Sequence, residues 1–272
     1  MGRTLLARLT DRLILRPSRR PLACAGKVRR TIPFGGGSLE VWTHRAGAVD
    51  REPDVFVLKY PGAGGRAELA TDHPVKAWPG WCGEIWTLNP PGYGGSTGPA
   101  TLQTVAAAAR TAFDEVQRQA AGRPILVTGS SLGGAAALAV AANCPVAGLL
   151  LRNPPPLRET IRTRFGGPLW WLGAALIARQ IPEALCAIRN AQRATAAAVF
   201  VVSGRDRTVP PQCQQQVIDA YAGEKRVLVV PDADHHSPLD AEYQPQYESL
   251  FAWLRQRLMA NATVAQGPHQ PG

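Results

Sequence analysis

Cysteine is sparse in this chain. Cys24, Cys82, Cys144, Cys186 and Cys213 are odd in number, widely spaced, and form no C-x-x-C pair. Neither a disulfide framework nor a metal site is indicated, and a reducing, cytoplasmic setting is expected. Long apolar runs are missing too. The longest, Gly167–Ala178, is about twelve residues and is bracketed by Pro168 and Pro182, too short to span a bilayer. No period marks a repeat array. Histidine is scarce, with five in 272 residues, and there are only eight serines, so candidates for a base or a hydroxyl nucleophile are few. Lysine is nearly absent, 4 against 26 arginines.

What is abundant is positive charge. The formal net charge is +10. Much of the excess lies in residues 1–26 and just beyond, where Arg3, Arg8, Arg12, Arg16, Arg19, Arg20, Lys27, Arg29 and Arg30 face Asp11 alone. Thr4–Leu15 reads as a basic helix with Leu5, Leu9 and Leu13 along one side. That pattern permits peripheral contact with an anionic membrane. It also suits a helix packed on the domain with its charges in water; a mitochondrial-type presequence is a third reading. No nucleic-acid partner is expected.

The most informative stretch is Pro124–Ala142. An apolar, β-branched run (Ile125, Leu126, Val127, Thr128) meets Gly129-Ser130-Ser131-Leu132-Gly133, and an alanine-rich run of high helix propensity follows at once. The reading is a buried strand, a very tight turn and a helix, with Ser131 at the apex. G-x-S-x-G in that setting is a nucleophile elbow. The flanking glycines let strand and helix approach closely, and the Leu132 N–H at the helix start points where an oxyanion would form. A second match, Gly94-Gly95-Ser96-Thr97-Gly98, follows Pro90-Pro91 and precedes Pro99. No helix can begin there, so it reads as a glycine-rich loop.

In chain order, Lys27–Phe34 and Leu39–His44 read as an antiparallel hairpin about Gly35-Gly36-Gly37. Strands are expected at Asp54–Tyr60, Gly83–Leu88, Val146–Leu151, Ala198–Val202 and Val227–Val230. Helices are expected at Ala67–Trp78 (interrupted by Pro74), Thr101–Ala120, about Leu169–Arg193, about Pro211–Ala222 and Glu242–Leu258. Residues 259–272 read as a disordered tail. An antiparallel start followed by strand–helix alternation means an α/β fold, a mostly parallel, doubly wound sheet whose site lies at the carboxyl ends of the strands.

Two loops at such ends carry the remaining chemistry. Ser203-Gly204-Arg205-Asp206-Arg207-Thr208-Val209-Pro210 places Asp206 after a buried strand. Asp232-Ala233-Asp234-His235-His236-Ser237-Pro238 does the same for two histidines. A serine hydroxyl needs a base to take its proton, and that base needs an acid to fix its tautomer. The order Ser, Asp, His is one of the known triad orders. His44, His73 and His269 offer no competing base.

With GSSLGG at the elbow, NPPGYGGSTG in the glycine-rich loop, GRDRTVP and DADHHSP, the chain resembles an α/β-hydrolase-fold serine hydrolase of the Bem46-like, serine aminopeptidase-like group, over about Lys27 to Leu258. The resemblance implies Ser131, Asp206 and His235 as the catalytic set, with His235 favoured over His236. It implies Gly62 as the second oxyanion donor beside Leu132, with Ala63 as the fallback, since Pro61 has no N–H. The group's usual His-Gly-x-x is here Tyr60-Pro61-Gly62-Ala63, which leaves the outer support of the hole open. It further implies a 27–258 hydrolase domain with a small helical lid at about 154–193. That insertion is rich in apolar residues (Leu169, Trp170, Trp171, Leu172, Leu176, Ile177), although Trp170 and Trp171 read equally as core.

The expected function is cleavage of an ester, thioester or amide of a small-molecule acyl substrate through an acyl-enzyme, without cofactor or metal. The alternatives are a serine aminopeptidase or acyltransferase on the same residues, or a non-catalytic module of this fold that binds a ligand or a membrane.

Overall fold

The computed structural model describes residues 4–167, 170–238 and 243–265. The N-terminal helix α1 (Leu5–Leu15) is followed by β1 (Val28–Phe34) and β2 (Gly37–Gly47), then β3 (Val55–Tyr60) and β4 (Cys82–Asn89). Next come α2 (Leu102–Ala120), β5 (Ile125–Ser130), α3 (Leu132–Ala141) and β6 (Gly148–Arg152). Helices α4 (Leu157–Phe165), α5 (Trp171–Arg179) and α6 (Ala187–Ala191) lie between β6 and β7 (Ala197–Ser203). The chain closes with α7 (Pro211–Ala220), β8 (Lys225–Val230) and α8 (Gln244–Ala265).

The eight strands form one sheet in the order β1-β2-β4-β3-β5-β6-β7-β8. β1 and β2 pair antiparallel, as do β2 and β4; every later pairing is parallel. This is the α/β-hydrolase arrangement, with the expected antiparallel start. Both faces are covered, and the period of two along the strands shows how. In β3, Phe56, Leu58 and Tyr60 join the core beneath α2 and α3, while Val55 and Val57 join the opposite core with α8. In β7, Ala198, Phe200 and Val202 go one way and Ala197, Val199 and Val201 the other. Burial on both faces explains why these strands read as continuous apolar runs.

Several elements differ from the sequence reading. Ala67–Trp78 is not a helix but two single 3-10 turns, Ala67–Leu69 and Val75–Ala77; Pro74 removes a donor between them. The helical segments expected over about Leu169–Arg193 are present, as α5, a 3-10 turn at Glu183–Leu185 and α6, with Pro182 between the first two. Leu169 lies outside the described residues. The last helix continues through 259–265, where disorder was expected, because no Gly or Pro lies between Pro245 in its first turn and Gly267; residues 266–272 lie outside the described residues.

Helix α1 packs on the domain through Thr10, Asp11 and Leu15, all buried. Asp11 Oδ1 accepts the N–H of Leu102 at 2.8 Å, so the one acid of the basic segment caps the first turn of α2. No described helix is long and apolar enough to cross a membrane.

Candidate active site

Ser131 sits between the last residue of β5 and the first of α3 with φ 52° and ψ −125°. A non-glycine residue at positive φ is strained and is held there by its surroundings. Here the holding is visible. The Ser131 N–H donates to the Arg152 carbonyl of β6 at 2.8 Å, and the Ser131 carbonyl accepts the Gly134 N–H at 2.7 Å. A Cβ on Gly129 would collide with the backbone of Gly133 and Gly134, and one on Gly133 with the Tyr60 carbonyl. Both glycines are needed so that β5, α3 and the end of β3 can close on the turn.

The loop after β3 presses on this turn. A Cβ placed on Gly62 would stand 3.3 Å from Ser131 Cβ and 3.1 Å from the Ser130 carbonyl. Gly62 accepts the Gly65 N–H at 2.9 Å, while no hydrogen bond takes its own N–H among the described residues. Leu132 is the first residue of α3, so its N–H has no acceptor within the helix. Two backbone donors therefore flank the serine.

Asp206 lies after β7 and His235 after β8. His235 Nδ1 lies 2.6 Å from Asp206 Oδ2. The same oxygen accepts Gln214 Nε2 at 3.1 Å, and Oδ1 accepts the N–H groups of Thr208 and Val209, each at 2.8 Å. Three of these four partners are N–H donors, and a carboxylate offers an acceptor site to each. His235 is thus oriented with Nδ1 toward Asp206 and Nε2 away from it. The Asp206 side chain is fully buried and that of His235 is 9% exposed.

His236 is exposed, with its ring edge-on to His235 at 4.9 Å and, among the described residues, no carboxylate hydrogen-bonded to the ring. Its backbone is fixed instead. Asp234 Oδ1 accepts the N–H groups of His236 and Ser237, both at 2.8 Å, and the Ser237 hydroxyl at 3.1 Å. These bonds hold the Asp234 carboxyl below its ordinary value, the His236 N–H contributing most.

The structure thus pairs Asp206 with His235 and not with His236, and brings Gly62, Ser131 and Leu132 together at the neighbouring strand ends. Among the described residues, no hydrogen bond joins Ser131 Oγ to either imidazole. Ser96, in the second G-x-S-x-G match, is buried; it donates to the Asn89 carbonyl at 2.5 Å and accepts the Glu40 N–H at 2.7 Å. It is a structural hydroxyl.

Four residues at the site carried no signal in the sequence reading. Gln214 comes from α7 and reaches back to Asp206. Arg152 ends β6, and its guanidinium donates to the Ser237 carbonyl in the histidine loop. Leu15 of α1 and Tyr93 line a small, mainly apolar pocket at the loop after β3, together with Tyr60, Pro61, Gly62 and Leu132. The insertion between β6 and β7 contributes no residue to this pocket, and Trp170 and Trp171 are not core residues; they are 74% and 57% exposed. No described group of His, Cys, Asp and Glu side chains is arranged to hold a metal.

A family model described as the alpha/beta hydrolase family matches residues 46–246. The chain is 31% identical over 150 residues to uncharacterized proteins of two Mycobacterium tuberculosis strains, a match covering 54% of this chain and 51% of theirs. The match therefore spans about half the length of those relatives. Among solved structures, a Pyrococcus furiosus esterase superposes with a TM-score of 0.68 at 14% identity, covering 90% of this chain and 98% of that one. A Pyrococcus horikoshii acylaminoacyl peptidase gives 0.61 at 12% identity, covering 86% of this chain and 42% of the other.

Proposed function

The chain belongs to the alpha/beta hydrolase family, and from that premise we propose that it is a serine hydrolase cleaving an ester or thioester through an acyl-enzyme. The observation that carries the reading is the hydrogen bond of His235 Nδ1 to a buried Asp206 whose other acceptor sites are all filled. Such a pair leaves Nε2 as a base beside the elbow.

In the proposed reaction, Ser131 Oγ attacks the acyl carbonyl carbon as its proton passes to His235 Nε2. The carbonyl oxygen becomes an oxyanion received by the N–H groups of Gly62 and Leu132. His235 then gives the proton to the departing alcohol or thiol, leaving the acyl group on Ser131. Water, deprotonated by Nε2, releases the acid in the second half. Asp206 orients the imidazole and stabilises its cation without taking the proton. In this reading the Ser131–His235 hydrogen bond forms when substrate binds.

The pocket beside Gly62 and Leu132 supports an acyl group as the recognised moiety. It is lined by Leu15, Leu88, Val105 and Ala109 among others, with no carboxylate to receive the ammonium of a peptide N-terminus. This favours acyl hydrolysis over aminopeptidase action.

The test is labelling by a fluorophosphonate probe together with turnover of p-nitrophenyl esters. Wild type should label and turn over, and Ser131→Ala should do neither, with kcat lower by on the order of 10⁶. Normal turnover by Ser131→Ala would overturn the assignment.

A further inference from the structure

Helix α1 is held to the domain by one side only. Its opposite side presents Leu5, Leu9 and Leu13, four residues apart and 84%, 49% and 55% exposed. Packed beside it is α5, where Trp171, Leu172 and Leu176 are 57%, 60% and 49% exposed. Phe165, at the end of α4, is 56% exposed. Large side chains scattered singly over a surface are ordinary; a concentration on two adjacent helices is not.

The exposed charge carried by α1, α4 and α5 themselves has one sign. Arg8, Arg12 and Arg16 on and after α1 are exposed, as are Arg162, Arg164 and Arg179 on α4 and α5. Arg164 lies over the Phe165 ring at 5.4 Å. The two acids within these segments do not offset them outward: Asp11 is buried at the start of α2, and Glu159 is partly buried in the first turn of α4. On the α1 helical wheel, Arg8 and Arg12 lie along one edge of the leucine stripe. This is the pattern of a helix lying in a membrane interface, apolar side chains entering the acyl boundary and arginines meeting phosphates.

We propose that the outward face of α1 and α4–α5 docks on a bilayer that carries anionic lipid. The alternative occupant, a second copy on the same face, is disfavoured by charge. A two-fold interface brings identical patches together and would set these arginines against their own images. An anionic leaflet neutralises them. Because Leu15 ends α1 and also walls the acyl pocket, docking brings that pocket close to the leaflet. This last consequence, though not the docking itself, rests on the hydrolase reading.

The test is flotation of the full chain, as Ser131→Ala, with vesicles of phosphatidylcholine alone or with about 30% phosphatidylglycerol. Binding to the anionic vesicles should exceed binding to the neutral ones at least tenfold and weaken as salt is raised. Leu9→Ser/Trp171→Ser and Arg8→Glu/Arg12→Glu, both at exposed positions, should each lower partitioning at least tenfold at an unchanged melting temperature. The proposal is overturned if the protein ignores anionic vesicles, or if both variants bind as the parent does. It is also overturned if light scattering finds a dimer that Leu9→Ser/Trp171→Ser splits. The Ser131→Ala background makes the result independent of whether the protein is a hydrolase.

Discussion

The N–H of Gly64 donates to the carbonyl of Leu15 at 3.0 Å, and the Tyr93 hydroxyl donates to the same oxygen. The loop after β3 is thereby tied to the end of α1. The tie continues along the chain: Arg66 Nη1 donates to the carbonyls of Ser18 and Arg20 at 3.0 and 2.9 Å, and the Gly94 N–H donates to Ser18 at 3.0 Å. The basic N-terminal segment is thus a strap across the site as well as a charged surface.

Leu15 is 1% exposed and lines the pocket. Leu15→Ala should open room for a longer acyl chain while keeping the backbone ties that hold the loop. The expected outcome is a rise in hexanoate-to-acetate preference of about tenfold, alongside a stability loss of about 2–5 kcal/mol from the cavity. A p-nitrophenyl ester series with a thermal melt checks both; an unchanged preference would mean the pocket does not take the acyl group.

Asp206 and the two histidines give a discriminating set. Asp206→Asn keeps the volume but can present an amide donor to Nδ1, favouring the wrong tautomer, and kcat should fall on the order of 10⁴. His235→Ala should be at least as damaging. His236→Ala, at an exposed ring with no carboxylate hydrogen-bonded to it, should leave kcat within about twofold. Equal losses at His235 and His236 would contradict the pairing.

The sequence was most legible where the local pattern decides the structure. Gly129, Ser131 and Gly133 between a β-branched run and an alanine run can hardly be anything but a strand, a tight turn and a helix. The choice of His235 over His236 needed a non-local fact, the approach of the loop after β7 to the loop after β8. Asp11 illustrates the limit. In the sequence it is one acid among arginines, but its role is set by the start of α2, which lies 91 residues away. Arg152 is similar, since its value depends on β6 lying between the elbow and the histidine loop. The exposure of Trp170 and Trp171 was equally illegible, because composition cannot say which side of a short helix meets the domain.

Arg152 joins the two halves of the site: its carbonyl receives Ser131 N–H, and its guanidinium donates to Ser237. Arg152→Met leaves the first bond, which is backbone, and removes the second. The histidine loop should loosen, lowering kcat about tenfold with little change in KM, and Arg152→Lys should recover part of the loss. A purely structural role would instead lower the melting temperature without separating kcat from KM.

Lys59 offers a test that does not involve catalysis. It follows Val55 and Val57 on the α8 side of β3, where burial pushes its ammonium down to about 8 from an ordinary 10.5, Asp72 opposing the shift and Lys27 adding to it. Its Nζ donates to the Thr71 carbonyl at 2.5 Å. Between these two values the unfolded chain holds a proton that the folded chain has released, so this group's contribution to stability rises with pH across the window. Below about 8 its cost is full, and above 10.5 it is gone. The buried tyrosines and cysteines work in the opposite direction, because burial raises their values and the folded state keeps protons the unfolded chain loses. Their effect is common to wild type and Lys59→Met and cancels in the difference. The stability advantage of Lys59→Met should therefore be largest near pH 7 and shrink by up to about 3 kcal/mol by pH 10.5. Denaturant melts of both proteins at several pH values read this directly, and a difference that stays flat would mean that Lys59 is solvated like an ordinary surface lysine.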